Sequence, residues 1–345
     1  MEKAAVQGDG LVIPLIDFSK FIHGGEVERL ETAKAILTGF QTAGFIYLKN
    51  IPITASTRAR IFDLSSKFFK LPTATKSSLA WTTPEANRGY SAPGREKVSL
   101  LTDAKDVDAL RLLIPDMKES FEMGPDNDPA HPNHWPAETS TEAEALGLAG
   151  FRETLVDFFH QCNALNAEVM RAIAVGMSLP HDFFDSFVDD GDNTLRLLHY
   201  PAVKKSVFQV NPDQVRAGEH SDYGSITLLF QDERGGLQVK SPNGHFVDAT
   251  PIEDTCVVNA ADLLARWSND TIKSTVHRVV EPPSKEGDDE GDMHPPRYSV
   301  AYFCNPNFKS FIEALPGTYA TEADKKYEGI NSGEYLLQRI RATYY

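Results

Sequence analysis

The chain has 345 residues, of which 41% are hydrophobic and 24% charged, so it can bury a sizeable core and is typical of a globular protein. Its formal net charge of −15 argues against a nucleic-acid polymer as partner, because proteins that track phosphates carry basic faces. The first residues lack the apolar run of a signal peptide, and no run approaches the roughly 20 residues of a membrane helix, so no membrane partner is expected.

The cysteines indicate the compartment. Cys162, Cys256 and Cys304 are too few and too scattered for a disulfide framework or a zinc site. We expect them to be small buried hydrophobes in a reducing environment, which predicts a cytoplasmic protein.

Residues 1–140 are predicted to form a mixed α/β region that packs on the core. The spacing of apolar residues and the Pro-, Gly- and Asn-rich stretches predict strands, helices and loops in this order. They are a strand at Val12–Phe18, a helix at Glu26–Ala43, a strand at Gly44–Asn50, a helix at Thr54–Lys70, and loops at Trp81–Glu96 and Pro125–Pro136.

Helical support is predicted over 141–192, where apolar residues recur every three to four positions along one helix, Thr141–Met177. From 193 to 310 short β-like runs, each bounded by turn residues, predict a double-sheet jelly roll as the catalytic core. These runs are TLRLLHY, SVFQV, SITLLF, LQVK, HFVDA, TCVVNA, VHRVV and RYSVAYF. An acidic loop is predicted at Glu281–Pro296, and a helical segment at 311–345 ends in a helix at Gly333–Tyr345. The fold class is therefore α+β, mainly β, in one compact catalytic unit.

The segment GEHSDYGSITLLF carries His220 and Asp222 with one residue between them. In a strand, residues i and i+2 project to the same face, so an imidazole and a carboxylate point at one spot. The candidate third ligand is His277, which lies on another predicted strand of the roll. Two histidines and one carboxylate leave three positions open, as Fe(II) needs to bind O₂ and a bidentate keto acid together. These three residues form the predicted catalytic metal centre.

Arg297 and Ser299 are also two residues apart, in RYSVAYF, so a guanidinium and a hydroxyl share one strand face. A guanidinium matches a carboxylate with paired donors, and a buried arginine is costly unless it is paired. An organic anion is therefore expected beside Arg297, with an internal ion pair as the alternative.

The order H-x-D, a distant His, then R-x-S resembles the iron and 2-oxoglutarate dioxygenase superfamily, in the branch that includes isopenicillin N synthase. IPLIDF and LLHYP also resemble that branch, so the resemblance covers most of the chain. It implies a distorted jelly roll, or double-stranded β-helix, wrapped by N-terminal and central helices. It implies Fe(II), 2-oxoglutarate as cosubstrate and O₂, with ascorbate as a candidate reductant. By this resemblance Arg297 and Ser299 bind the distal carboxylate of 2-oxoglutarate, and Tyr200 joins them.

Longer runs resemble a narrower group, the fungal thymine dioxygenases, also called thymine 7-hydroxylases. The runs are WTTPEANRGYSAPGREKVS, LRLLHYPAVK, LLARWSNDTIKSTVHRVVEPP and YEGINSGEYL. The resemblance implies a small-molecule substrate, a pyrimidine base. It implies that the 5-methyl group of free thymine is oxidised stepwise to the hydroxymethyl, formyl and carboxyl forms in pyrimidine salvage.

By the same resemblance, Arg196, Tyr223 and Phe303 match the positions that bind thymine. Strand alternation is compatible, because it places Arg196 beside Tyr200 and Phe303 on the face of the R-x-S pair. Two aromatic rings could stack on a flat base, and a cation could bind a pyrimidine carbonyl. Core packing is the alternative for the two rings, and a structural ion pair for Arg196. Asn87 and Arg88 are candidates to close over the pocket.

Several functions stay open at this point. The same chemistry could act on a secondary metabolite, or the enzyme could resemble isopenicillin N synthase and use no 2-oxoglutarate. A jelly-roll binding protein without catalysis is another class, and nucleic-acid demethylation fits the acidic charge poorly. We expect a monomer or a weak homo-oligomer.

Overall fold

The computed structural model describes residues 3–101, 103–283 and 291–344, in which strands dominate the second half and long helices the first. The helices are α1 (Ser19–His23), α2 (Glu26–Thr42), α3 (Ala55–Phe69), α4 (Thr73–Ser77), α5 (Ala104–Leu113), α6 (Thr141–Leu146), α7 (Phe151–Gly176), α8 (Asp185–Val188), α9 (Ser206–Val210), α10 (Asp262–Trp267) and α11 (Ser332–Tyr344), with a 3₁₀ turn at Glu322–Asp324. The strands are β1 (Lys3–Gly8), β2 (Leu11–Asp17), β3 (Phe45–Lys49), β4 (Gly89–Ser91), β5 (Glu119–Met123), β6 (Thr194–Tyr200), β7 (Val203–Lys204), β8 (Ala217–His220), β9 (Ile226–Gln231), β10 (Leu237–Lys240), β11 (Phe246–Asp248), β12 (Thr255–Ala260), β13 (His277–Val279), β14 (Met293–His294), β15 (Arg297–Cys304), β16 (Phe311–Ile312) and β17 (Ile330–Asn331).

Two sheets make up the roll. The larger has the strand order β1-β2-β3-β12-β9-β15-β6-β5-β4, and the smaller has the order β11-β10-β13-β8. Except for the parallel pair β2–β3, neighbouring strands in both sheets are antiparallel. The predicted fold class, an α+β jelly roll with helices around it, is confirmed.

Strand β15 shows how the sequence places a site between the sheets. Its side chains alternate, because successive residues of a strand point to opposite faces. Val300, Tyr302 and Cys304 pack into the core under the helices. The other face lines an internal cavity with Arg297, Ser299, Ala301 and Phe303. One strand thus serves both the helix-covered core and the site.

A layer of helices covers the outer face of the large sheet. Helix α7 contributes a broad apolar face to that core, and α2 and α3 pack against it. The predicted helical support is therefore present, and Cys162, Cys256 and Cys304 are free and buried, as expected.

The predicted helix Thr141–Met177 is wrong in one respect, because it is two helices. Gly147 adopts a left-handed conformation with φ 68° that ends α6, and Gly150, with φ 77°, precedes α7. Glycine adopts this conformation without the penalty of a Cβ.

The predicted strand SVFQV is also wrong, because Ser206–Val210 forms the short helix α9. Only Phe208 of this run is buried, so no sheet face selects the alternation. Strands β4 and β5 and helices α5 and α10 were not predicted. Of the predicted acidic loop, residues 284–290 lie outside the described residues, and Met293–His294 pairs with β7.

The predicted segment boundaries stay a prediction. Strand β3 pairs with β12 and β5 pairs with β6, so strands from the first 140 residues extend the sheet of the roll. Among the described residues, no helix is long and apolar enough to cross a membrane.

Candidate active site

Three side chains meet at one end of the small sheet. His220 ends β8 and lies directly opposite His277, the first residue of β13. Asp222 is in the loop just after β8, rather than within the strand as the alternation argument assumed. Its Oδ1 is 3.9 Å from His220 Nε2 and 3.7 Å from His277 Nε2. The three ligand atoms lie within 4.8 Å of one another.

The two imidazoles are held so that each Nε2 faces the carboxylate. His220 Nδ1 is 2.7 Å from the carbonyl oxygen of Gly218, and His277 Nδ1 is 3.1 Å from that of Thr275. A donor bond from Nδ1–H to a carbonyl fixes the tautomer and the ring orientation of a metal-binding histidine. Burial and the neighbouring His277 lower the pKa of His220 to about 3, so its imidazole is neutral at physiological pH.

Asp222 is oriented by two donors on its other oxygen. Thr227 Oγ1 donates to Asp222 Oδ2 at 2.5 Å, and Asn259 Nδ2 donates to it at 2.7 Å. Burial raises the pKa of Asp222, but both neighbouring imidazoles and these hydrogen bonds outweigh it and hold the pKa below its ordinary value. The residue is therefore an ionised carboxylate with Oδ1 free to bind.

This donor set fits a ferrous ion. Two imidazole nitrogens and one carboxylate oxygen on one side of a metal form the facial arrangement used by non-haem Fe(II) oxygenases. Among the described residues, these three side chains form the group that could hold a metal ion. The predicted Fe(II) triad of His220, Asp222 and His277 is confirmed.

A cavity of about 130 Å³ opens beside the triad, between the two sheets. Apolar side chains from both sheets form much of its wall, including Leu229, Leu237 and Val279. Helix α11 covers it with the apolar side chains of Leu336 and Ile340.

One end of the cavity is formed by Arg297, which is 1% exposed. Its Nε donates to the carbonyl oxygen of Gly235 at 2.9 Å, and its Nη1 donates to Ser299 Oγ at 3.3 Å. Its Nη2 donates to Gln231 Oε1 at 3.3 Å, and its guanidinium lies 4.9 Å from the centre of the Tyr200 ring. No acidic side chain within the described residues forms an ion pair with Arg297. The internal ion pair considered as an alternative is therefore not found among these residues.

The other end holds the three residues predicted to bind substrate. Tyr223 and Phe303 both line the cavity, and the Tyr223 hydroxyl lies 2.8 Å from Thr343 Oγ1 of α11. Burial raises the pKa of Tyr223, so the hydroxyl is protonated. The guanidinium of Arg196 lies 5.1 Å from the centre of the Phe303 ring.

Arg196 is also part of a buried ion-pair network, which was the alternative for this residue. Its Nη1 donates to Glu96 Oε1 at 2.9 Å, and its Nε lies 2.8 Å from Glu122 Oε1. Glu96 Oε2 lies 2.7 Å from Lys118 Nζ. Arg196 lines the cavity as well, so its guanidinium is both paired and part of the cavity wall.

Glu96 and Lys118 are cavity residues that the sequence reasoning missed. Both line the cavity and both are buried. The sequence does contain a hint of them. Lys118, Ser120 and Glu122 alternate in KESFEM, so a strand over this run would place two charges on one face. In the structure Glu122 lies opposite Arg196 of β6.

The loop predicted to close over the cavity contributes one of its two candidates. Asn87 lines the cavity, and its Oδ1 accepts a hydrogen bond from Trp81 Nε1 at 3.0 Å. Arg88 is buried but is not part of the cavity wall. Helix α11 adds Tyr344, whose ring stacks on Trp81 at 4.1 Å. The position of α11 over the cavity was not predicted.

Two family models match the chain. The N-terminal domain described as that of non-haem dioxygenase in morphine synthesis matches residues 13–138. The 2OG-Fe(II) oxygenase superfamily matches residues 191–306, the part that carries the triad and Arg297.

Known relatives cover nearly the whole chain. The 2-oxoglutarate-Fe(II) type oxidoreductase ppzD of Metarhizium rileyi is 33% identical over 335 residues, which are 95% of this chain and 90% of the relative. Full-length thymine 7-hydroxylase of Neurospora crassa, in complex with alpha-KG and thymine, is 69% identical, with a TM-score of 0.90 over 99% of this chain and 100% of that one. The same protein in complex with alpha-KG and 5-formyluracil is 66% identical, with a TM-score of 0.88 over 99% and 100% of the two chains.

Proposed function

The chain belongs to the 2OG-Fe(II) oxygenase superfamily, and from this we propose that it oxidises the 5-methyl group of free thymine, using 2-oxoglutarate and O₂. The oxidation proceeds stepwise through 5-hydroxymethyluracil and 5-formyluracil to 5-carboxyuracil. The observation that carries the proposal is the similarity to a thymine 7-hydroxylase that binds both thymine and 5-formyluracil. At 66–69% identity over 99% of this chain, the similarity extends through all the elements that line the cavity.

2-Oxoglutarate is assigned to the Arg297 end of the cavity. Arg297 and Ser299 offer a guanidinium and a hydroxyl to the distal carboxylate, and Tyr200 adds its ring and hydroxyl beside them. The buried guanidinium has no acidic partner within the described residues, so an incoming carboxylate would supply its counter-charge. The keto-acid end then points toward His220 and His277.

The base is assigned to the other end of the cavity. Tyr223 and Phe303 supply two aromatic faces for a flat pyrimidine, since a ring face attracts any nucleobase by stacking. Arg196 offers donors for a carbonyl oxygen of the base, and Asn87 offers an amide. These contacts fix the ring in its plane and direct one edge toward the triad.

When bound, Fe(II) with 2-oxoglutarate and O₂ supplies the oxidising power for attack on an unactivated C–H bond. His220, Asp222 and His277 would hold the metal at the wall of the cavity. Tyr223, Phe303 and Arg196 orient the methyl group, and α11 excludes water from the reacting centre. No side chain has to act as a general acid or base.

The test is a panel of thymine, 5-hydroxymethyluracil, 5-formyluracil, thymidine and an unrelated secondary metabolite. Oxygen uptake that depends on 2-oxoglutarate is measured for each compound, together with succinate release and the mass of the product. We expect the three free bases to respond, with succinate released in step with product. A response to another scaffold and none to any free base would overturn the substrate assignment, and product without succinate would overturn the role of 2-oxoglutarate.

The compartment and the assembly belong to the same proposal. Cys162, Cys256 and Cys304 are all free and buried, as expected for a protein in a reducing compartment, so we place the enzyme in the cytoplasm. We also expect it to act as a monomer or a weak homo-oligomer. Sedimentation at micromolar concentration would test the assembly, and a stable large oligomer would contradict it.

A further inference from the structure

A second buried arginine lies near the Arg297 end of the cavity. Arg216 directly precedes β8 and is 0% exposed. Its Nη2 donates to the carbonyl oxygen of Pro201 at 3.3 Å. Its Nε and Nη1 are buried and have no hydrogen-bond partner in the described part of the chain. A guanidinium is thus removed from water with two of its three nitrogens unsatisfied.

Among the described residues, no carboxylate forms a hydrogen bond with the guanidinium of Arg216. The charges of Asp232 and Glu281 act on it from a distance. Burial lowers the pKa of Arg216 to about 10, and the positive charge of Arg297 acts in the same direction. A buried charge without a partner is costly, and a second like charge beside it adds to that cost.

Its surroundings connect Arg216 to the cosubstrate end of the cavity. Arg216 Nη2 donates to Pro201, the residue after the cavity-lining Tyr200, and the backbone N–H of Arg216 donates to the carbonyl oxygen of Val279, which also lines the cavity, at 2.7 Å. The residue that follows Arg216, Ala217, lines the cavity, whereas Arg216 itself does not. Arg216 therefore lies behind the cavity wall next to Tyr200 and Val279, near enough to Arg297 for the two positive charges to affect each other.

We propose that Arg216 is a second cation for the distal carboxylate of 2-oxoglutarate, a positioning residue that acts from behind Arg297. The inference rests on the proposed function, because it takes the Arg297 end as the cosubstrate site. Neither guanidinium has an acidic partner among the described residues, so one bound carboxylate would lower the electrostatic cost of burying both charges.

The experiment uses the full chain loaded with Mn(II) without oxygen, and measures 2-oxoglutarate binding by isothermal titration calorimetry. Arg216→Met removes the charge while keeping an apolar side chain of comparable length. Arg216→Lys keeps the charge. Arg278→Met is the matched control, because Arg278 is partnered by Gln238 and Glu219 on the neighbouring strands. Arg297→Gln serves as the reference for the direct contact.

We expect Arg216→Met to weaken 2-oxoglutarate binding about tenfold, as a buried charge acting over a short distance would. Arg216→Lys and Arg278→Met should stay within about threefold of the wild type, and Mn(II) binding should not change in any variant. The melting temperature of Arg216→Met without 2-oxoglutarate should be equal to or above that of the wild type, because an uncompensated buried charge has been removed.

The stability readout separates this role from a structural one. A lower melting temperature of Arg216→Met, or failure to fold, would mean that the fold itself uses the charge, and would overturn the proposal. Unchanged 2-oxoglutarate affinity in Arg216→Met, or an equal loss in Arg216→Lys, would also overturn it. If Arg297→Gln has no effect either, the proposed cosubstrate site fails with it; if Arg297→Gln weakens binding and Arg216→Met does not, only this inference fails.

Discussion

Glu96 links two cations in the wall of the cavity, and its replacement gives a measurable test of the buried network. Burial raises the pKa of Glu96, but Arg196 and Lys118 outweigh it and hold the pKa at about 2, against an ordinary value of 4.5. At about 1.4 kcal/mol for each tenfold change in proton affinity, this difference corresponds to about 3 kcal/mol of the free energy of unfolding. We expect Glu96→Gln to lower the free energy of unfolding by about that amount at neutral pH.

The sign of the pH dependence follows from the depressed pKa. The stabilisation is complete above the ordinary pKa of 4.5 and is lost as the pH falls toward 2. The gap between wild type and Glu96→Gln should therefore be constant at neutral pH and shrink once the pH falls below about 4.5. Urea unfolding followed by circular dichroism, at several pH values, measures this gap.

Glu122→Gln is the matched control, because Glu122 pairs with the guanidinium of Arg196 just as Glu96 does. Burial raises the pKa of Glu122, and Arg196 does not outweigh it, so folding does not favour the ionised form. Removing this charge should leave the protein as stable as the wild type, or more stable, at neutral pH. Equal losses in the two variants, or a loss below about 0.5 kcal/mol in Glu96→Gln, would refute the reasoning about how the network divides its charge.

Three further outcomes are expected. Asp222→Ala should abolish stoichiometric Fe(II) binding and substrate-dependent succinate formation, and iron retained at one equivalent would contradict the triad. Arg297→Gln should raise the apparent dissociation constant for 2-oxoglutarate at least about tenfold without changing that for Fe(II), as titration of each ligand would show. Gly224→Ala should lower both activity and melting temperature, because a Cβ at Gly224 would overlap the carbonyl oxygen of Cys304 and displace the loop that carries Asp222; normal values for both would contradict this.

The triad and the Arg297 end could be predicted from the sequence because strand geometry is local. Side chains two apart share a face, so R-x-S needed only the assumption of a strand. The prediction from H-x-D is correct although Asp222 lies in the loop after β8. The loop turns so that the side chains of His220 and Asp222 still converge. The pairing of His277 opposite His220 is a property of the sheet, whereas the sequence predicted only that His277 lies on another strand of the roll.

The failures have a common cause in tertiary contacts. The run at Ser206–Val210 alternates like a strand, but without a partner strand it forms one turn of helix. The ion pair of Glu122 with Arg196 depends on β5 pairing with β6, a contact between strands that lie far apart in the chain. Arg216 gave no signal in the sequence, because an unpaired buried charge is recognised only when every neighbour is known.

The charges at the two ends of the cavity match the two ligands proposed for it. At one end Arg297 has no acidic partner among the described residues, and the nearby Arg216 has none either, so this end is electrostatically complete only with an anion. At the other end the cations Arg196 and Lys118 already have carboxylate partners in Glu96 and Glu122, so a charged ligand there would have to compete with these pairs. That end favours a neutral, hydrogen-bonding molecule, which a pyrimidine base is. The two ligands could not exchange places without an uncompensated buried charge, and this assigns them to opposite ends of the cavity before any specific contact is made.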